Sequence, residues 1–270
     1  MQANPVRYEE STESVNISID DVVVKEQKAI RAESDKNQKL KIVKQGESRV
    51  RKYIHNTVAH IEQEKKQYVI NGASTVAVLE IILAFIMNNW LIDKNIVFFF
   101  DGQKTLASSI EKRFSKFGNL NLILDWYHLE KKCKEYLSMA LKGREIRKEV
   151  LEALLPLLWD GMVLDAISYL QTISPDLVKN PAYIDKLMQY LQHNFNYIAC
   201  YSVRKKLGLR NASNRGEKEN DLIVSHRQKN NGMSWSKSGS TSLASLTSLK
   251  RNNQASQWFR SGFIDLKFAA

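Results

Sequence analysis

Apolar and polar positions along the chain fall into stretches of different period. Residues 16–25, NISIDDVVVK, are rich in Val and Ile and predict a β-strand with Asp20 and Asp21 at its middle. A charged interval comes next, 28–67, relieved by the short apolar run 40–43. Its second part, 47–67, is dense in Lys, Arg and Glu and predicts no well-placed strand, and Gly72 separates it from the next run. Residues 75–91, TVAVLEIILAFIMNNWL, are apolar for most of their length. They fall short of the roughly 20 residues a bilayer span needs. They also carry Glu80, Asn88 and Asn89, so they predict a buried helix and no membrane association. The run IVFFF at 96–100 suits a central buried strand, 104–117 an amphipathic helix, and NLNLIL at 119–124 a further strand. Strands alternating with helices in this way predict an α/β layered core.

From 127 to 206 the pattern changes. Apolar residues recur three and four apart through 129–139, 146–159, 162–170 and 182–191, which predicts an all-helical segment punctuated by Gly143, Pro156, Gly161 and Pro175. The turn-rich stretch LGLRNASNRG, 207–216, comes next. A helix is then predicted from Glu217 to Lys229, and the Ser/Thr-rich stretch 234–249 reads as loop with a short helix.

Composition narrows the class. A chain of 270 residues that is 43% hydrophobic, with 11 Gly and 4 Pro, can bury a sizeable core and is neither collagen-like nor uniformly disordered. Two cysteines, Cys133 and Cys200, make neither a disulfide scaffold nor a Cys-rich zinc site. No basic-apolar-small signal pattern opens the chain, so a cytoplasmic, nucleoid-associated location is expected. Charge adds more. Twelve Lys and Arg against three acids between residues 203 and 260 carry nine of the eleven net positive charges. Such a field attracts polyanions, nucleic acid first, although a solvated basic face would read the same way.

Several acids stand where chemistry is possible. Asp101 and Asp125 each follow an apolar strand, and Asp20 lies within or near the end of one. Carboxylates at the carboxyl ends of strands face the crevice where α/β folds bind ligands. Asp20 and Asp101 could share one or two divalent ions, Mg²⁺ or Mn²⁺ by their oxygen ligands. The plainer alternative is that each is a turn or N-cap residue. His128, three residues after Asp125, could pair with it on the first turn of a helix or be a packed histidine. Glu217 heads a helix amid Arg215, Lys218, Arg227 and Lys229, with Asn220 on the same face. It could deliver a carboxylate to a site or simply cap the helix. Trp235, in the sequence GMSW, could stack on a base or anchor a loop. No GxGxxG, GxxxxGK[ST] or HExxH motif is present.

Taken together, DGQKTL at 101–106, LDWYHLEKKCKEYL at 124–137, RKKLGLRNASNRGEKEND at 204–221 and RQKNNGMSWSKSGS at 227–240 resemble a bacterial insertion-sequence DDE transposase of the Mutator-like, UPF0236-related group. The resemblance runs from about residue 17 onward. It implies an RNase H-like catalytic core interrupted by an all-helical insertion. Its parts would be a leader at 1–14, a first core segment at 15–126, the insertion at 127–206, a last core helix with a basic DNA-facing segment at 207–260, and a tail at 261–270. It implies Asp20, Asp101 and Glu217 as catalytic metal ligands for two Mg²⁺ or Mn²⁺ ions, with Asp125 and His128 as an accessory [D/C]xxH pair. Arg204, Lys205, Lys206, Arg215, Asn220, Arg227, Lys229 and Trp235 would face DNA. The implied activity is cleavage at transposon ends followed by 3′-OH strand transfer into target DNA, carried out by a homo-oligomer on double-stranded DNA. One departure is that Asp20 lies only nineteen residues in, where relatives carry a longer amino-terminal region. A truncated, catalytically silent DNA-binding remnant is therefore the alternative expectation, and a nuclease without strand transfer a more distant one.

Overall fold

The computed structural model describes residues 13–27 and 52–268, apart from the side chains of Asn214, Arg215, Glu217 and Asn231. Most of the expected leader and the apolar run 40–43 lie outside the described residues. Five strands, β1 (Ser14–Lys25), β2 (Tyr53–Gln63), β3 (Lys66–Gly72), β4 (Asn95–Phe100) and β5 (Leu120–Leu124), form one sheet in the order β3-β2-β1-β4-β5. The first three are antiparallel, whereas β4 and β5 run parallel to β1. The fold is a mixed α/β arrangement, with this central sheet flanked by helices.

The period-2 alternation of β1 divides its side chains between two layers. Val15, Ile17 and Ile19 are buried with α1 (Thr75–Asn88) and α2 (Lys104–Phe114) on one face. Asn16, Ser18 and Asp20 have the opposite parity. The six residues of β4 are all buried, as expected of a strand covered on both sides. Helix α1 starts where Ser74 Oγ accepts the Ala77 amide at 3.2 Å, and it buries Val78, Leu79, Ile82, Phe85 and Ile86. Among the described residues no helix is long and apolar enough to cross a membrane.

Helices α3 (Trp126–Ala140), α4 (Arg144–Trp159), α5 (Val163–Gln171), α6 (Pro181–His193) and α7 (Tyr201–Lys206) fill the stretch 126–206. Their buried residues share one core with Val97 and Phe99 of β4 and Ile123 and Leu124 of β5. This helical segment is therefore a layer of the sheet's own core. Buried Tyr201 ties the two together by donating its hydroxyl to the Leu124 carbonyl at 2.7 Å.

Two stretches fold differently from the sequence expectation. The charged interval contains the β2–β3 hairpin, whose acidic and basic residues gather at its turn, around Glu64 and Lys65. The Ser/Thr-rich stretch forms the 15-residue helix α10 (Lys237–Arg251), capped by Ser236 Oγ on the Gly239 amide. Its buried face is Ser240, Ala244 and Ser248, four residues apart. That small-residue stripe packs against β3 and β2 without an apolar signature. At its end Asn252 bonds both the amide and the carbonyl of Val69, each at 2.8 Å, pairing with edge strand β3 as a further strand would. The remaining helices are α8 (Asn214–Asn220), α9 (His226–Gln228) and α11 (Ala255–Ser261). The helix predicted from Glu217 thus begins three residues earlier, at Asn214.

Candidate active site

The site begins with two parallel neighbours. The β1–β4 register sets Ser18 opposite Phe99, which brings Asp20 level with Asp101 just beyond the end of β4. Alternation decides between the two adjacent aspartates of β1. Asp21 has the opposite parity and its carboxylate accepts the Thr57 hydroxyl, while Asp20 lines a cleft with Asp101 and His128. Asp101 Oδ1 accepts the Gln103 amide at 2.9 Å, closing a turn through Gly102 at φ +91°. A Cβ at Gly102 would meet Leu124 Cδ1 and Tyr190 Oη at 3.1 Å and Asn194 Oδ1 at 3.2 Å, so both conformation and space call for glycine.

The third wall is α8. A Cβ on Gly216 would lie 2.6 Å from Ser18 Cβ, so the helix backbone crosses β1 with no room for a side chain there. One turn later Asn220, buried, donates Nδ2 to Asp20 Oδ2 at 2.7 Å. Residue 217 sits on the helix between these two contacts; its side chain lies outside the described residues. A π-helical turn, Asp221–Ser225, comes directly after and turns Ile223 and Val224 into the core beside Val22 and Val24. Such turns inside helices recur at functional sites.

Burial pushes the Asp20 carboxyl above its ordinary value, and the like charge of Asp101 adds to the rise. The Asp21 amide, His128 and Asn220 pull the other way. Two carboxylates and an imidazole thus meet around a space of about 10 Å³, the room of roughly one water-sized sphere. A divalent cation would relieve the repulsion between Asp20 and Asp101, and hard oxygen donors suit Mg²⁺ or Mn²⁺. Among the described residues no group of three or more His, Cys, Asp or Glu side chains is placed to hold a metal ion.

Asp125 has a different position. It is fully buried at the N-cap of α3, with Oδ1 accepting the Tyr127 amide at 2.7 Å and Oδ2 accepting the Ser213 amide. Its carboxylate is occupied in holding α3 to the loop ahead of α8, and this orients His128, one turn on, toward the cleft. Asp125→Ala should cost about 2 kcal/mol through the lost cap and an unsatisfied buried amide. Thermal unfolding measures it, and Asp125→Asn should recover part of the loss.

The residues expected to face DNA divide. Lys205, Lys206, Arg227 and Lys229 are exposed. Arg204 is 2% exposed, bonded through Nε to the Arg210 carbonyl and set over the Phe99 ring. Asn220 is spent on Asp20. Trp235 is half-buried against Val22, Val24 and Ile54, and its indole N–H donates to the Gln228 carbonyl at 3.1 Å, which makes it a loop anchor. The side chain of Arg215, like that of Glu217, lies outside the described residues. Among the described residues Arg210 is paired with Glu62 and Arg251 with Glu219. Sequence reasoning missed Ser213 and Gly216, which also line the cleft. The small residue just ahead of Glu217 was the one signal for that close approach. The chain matches no known family model, no curated protein and no solved structure.

Proposed function

We propose that the chain is a DDE-type transposase acting on DNA, with an RNase H-like core and a cleft that holds divalent metal. The observation that carries this reading is the convergence of Asp20 and Asp101, from adjacent parallel strands, with helix α8 laid across β1. The strand order β3-β2-β1-β4-β5, antiparallel on one side of β1 and parallel on the other, supports the RNase H-like assignment. In this reading Asp20 and Asp101 hold the metal, Glu217 completes the set from α8, and Asn220 keeps the Asp20 carboxylate oriented. A bound Mg²⁺ or Mn²⁺ would supply activation of the attacking oxygen and charge stabilisation at the phosphodiester. His128 faces the same cleft, where its imidazole offsets part of the carboxylate charge. The exposed Lys205, Lys206, Arg227 and Lys229 supply a field for the DNA backbone, whose binding should weaken steeply as salt rises.

The test is cleavage of labelled duplexes carrying the terminal repeats around the gene, in Mg²⁺ or Mn²⁺, beside Asp101→Ala. Nicking at repeat ends that requires metal and vanishes in the variant is the expected result, with joining to a target duplex in the same reaction. A second reading, a silent DNA-binding remnant, keeps the exposed Lys205, Lys206, Arg227 and Lys229 as its DNA-facing surface and needs no metal. Salt-sensitive duplex binding with no cleavage in either metal would decide for it.

A further inference from the structure

A cavity of about 340 Å³ lies beside the acidic cleft, between the sheet and the helical layer. Ser18 and Ser213 line both, so the two spaces adjoin. The composition of its floor is unusual for a covered sheet. Asn16, Ser18, His60 and Glu62 face it from β1 and β2, while the reverse face of the same strands is Val15, Ile17, Ala59 and Ile61. Packing alone would place apolar residues at those positions, as Val97 and Phe99 do on β4. A polar floor under a roof of helices is the signature of a space built to be filled by something with hydrogen-bonding edges.

Its walls specify the occupant further. Trp126 and Trp159 meet edge to face at 4.7 Å, and Trp159 stacks at 5.8 Å on buried Tyr201, which fixes the indole. Lys205 Nζ stands 5.9 Å from the Trp159 ring, exposed. Glu62 is neutralised by Arg210 at 2.6 Å, so the floor does not repel an anion. Asn211 donates to the Tyr201 carbonyl at 2.7 Å, leaving its buried Oδ1 as an acceptor without a partner. Aromatic faces, polar edges and a cation at one side fit a single nucleotide: base against indole, edge toward the polar floor, phosphate toward Lys205. A duplex is far too wide to enter.

We propose that this cavity receives one unpaired nucleotide of the DNA held at the acidic cleft. The inference rests on the DNA reading above. Its test uses the full chain in EDTA, with a duplex carrying a single extrahelical 2-aminopurine beside the same duplex fully paired. The bulged duplex should bind about tenfold tighter, with its 2-aminopurine fluorescence quenched. Asn16→Leu and Ala212→Leu fill the cavity from opposite sides; either one that melts like the wild type should erase the preference and the quenching while leaving paired-duplex affinity within about twofold. Equal affinity for the two duplexes with unquenched fluorescence overturns the cavity assignment and leaves the DNA reading standing. Binding of neither duplex overturns both, and binding of free deoxynucleoside monophosphate alone assigns the cavity to a free nucleotide instead.

Discussion

Under the proposed function, Asp20→Asn should abolish metal-dependent cleavage and, at the same time, raise the melting temperature of the metal-free protein. The activity loss should reach about 10³-fold, equivalent to about 4 kcal/mol of barrier, because a carboxamide oxygen brings no negative charge to hold the metal and is a far weaker ligand than a carboxylate. The stability gain is a consequence of linkage. Burial and the neighbouring Asp101 raise the Asp20 carboxyl in the folded state, so the folded protein holds that proton more tightly than the unfolded chain. The destabilisation is absent below the unfolded value, near pH 4, grows as pH rises through the folded value, and is complete above it. The advantage of the variant should therefore be widest at neutral pH. The substituted carboxamide retains an acceptor for the Asp21 amide, and a turned-over Asn220 amide can still bond it. Adding Mn²⁺ should raise the wild-type melting temperature, more so as pH climbs from 5 to 8, and leave the variant unmoved. A variant less stable than the wild type at neutral pH would contradict this account.

Gly216→Ala should damage both stability and the site through a single added methyl. The added Cβ would stand 2.6 Å from Ser18 Cβ and 3.2 Å from Ser18 Oγ, so either β1 or α8 must move. Overpacking of this kind costs about 2–3 kcal/mol, against which alanine's better helix propensity returns less than about 1 kcal/mol. The displacement also draws Asn220 away from Asp20, so cleavage should fall together with stability. Ser18→Gly removes both clashing atoms. On its own it should cost about 0.5–1 kcal/mol, yet in the double variant it should restore most of what Gly216→Ala loses. Denaturant unfolding of the four proteins gives the coupling directly. Additive losses would place the clash elsewhere.

How legible the site was in the sequence differs from residue to residue. Asp101 could be placed because the apolar run before it ends abruptly, and a strand ending at a crevice is a local event. Asp20 was legible as part of a strand and was preferred to Asp21 by the resemblance alone; the physical reason for that preference, the face it occupies, is fixed only by pairing. The β2–β3 hairpin escaped because β2 buries Asn56, Thr57, His60 and Glu62 alongside its apolar residues, so burial there does not follow hydropathy. Helix α10 escaped for the matching reason, since its buried stripe is serine and alanine. The basic excess after residue 203 was real as a count, yet counting cannot separate buried Arg204 or the paired Arg210 and Arg251 from the exposed cations. Asp125 illustrates the same limit for acids: an aspartate after a strand reads identically whether it awaits a ligand or caps a helix, and here two backbone amides occupy it.

The contact between Asn220 and Asp20 spans 200 positions of the chain, and the core that seats α8 joins Val22 and Val24 to Ile223, Val224 and Ala244. During synthesis the two aspartates leave the ribosome long before the helix that orients one of them and the strand-covering α10 beyond it. At ordinary elongation rates of roughly 5–20 residues per second, that interval is on the order of ten seconds or more. Through it the nascent chain carries both carboxylates without the wall that completes their cleft. The site is thus a late product of translation, and a ribosome that stops early releases a polypeptide in which the acidic pair is present and unassembled.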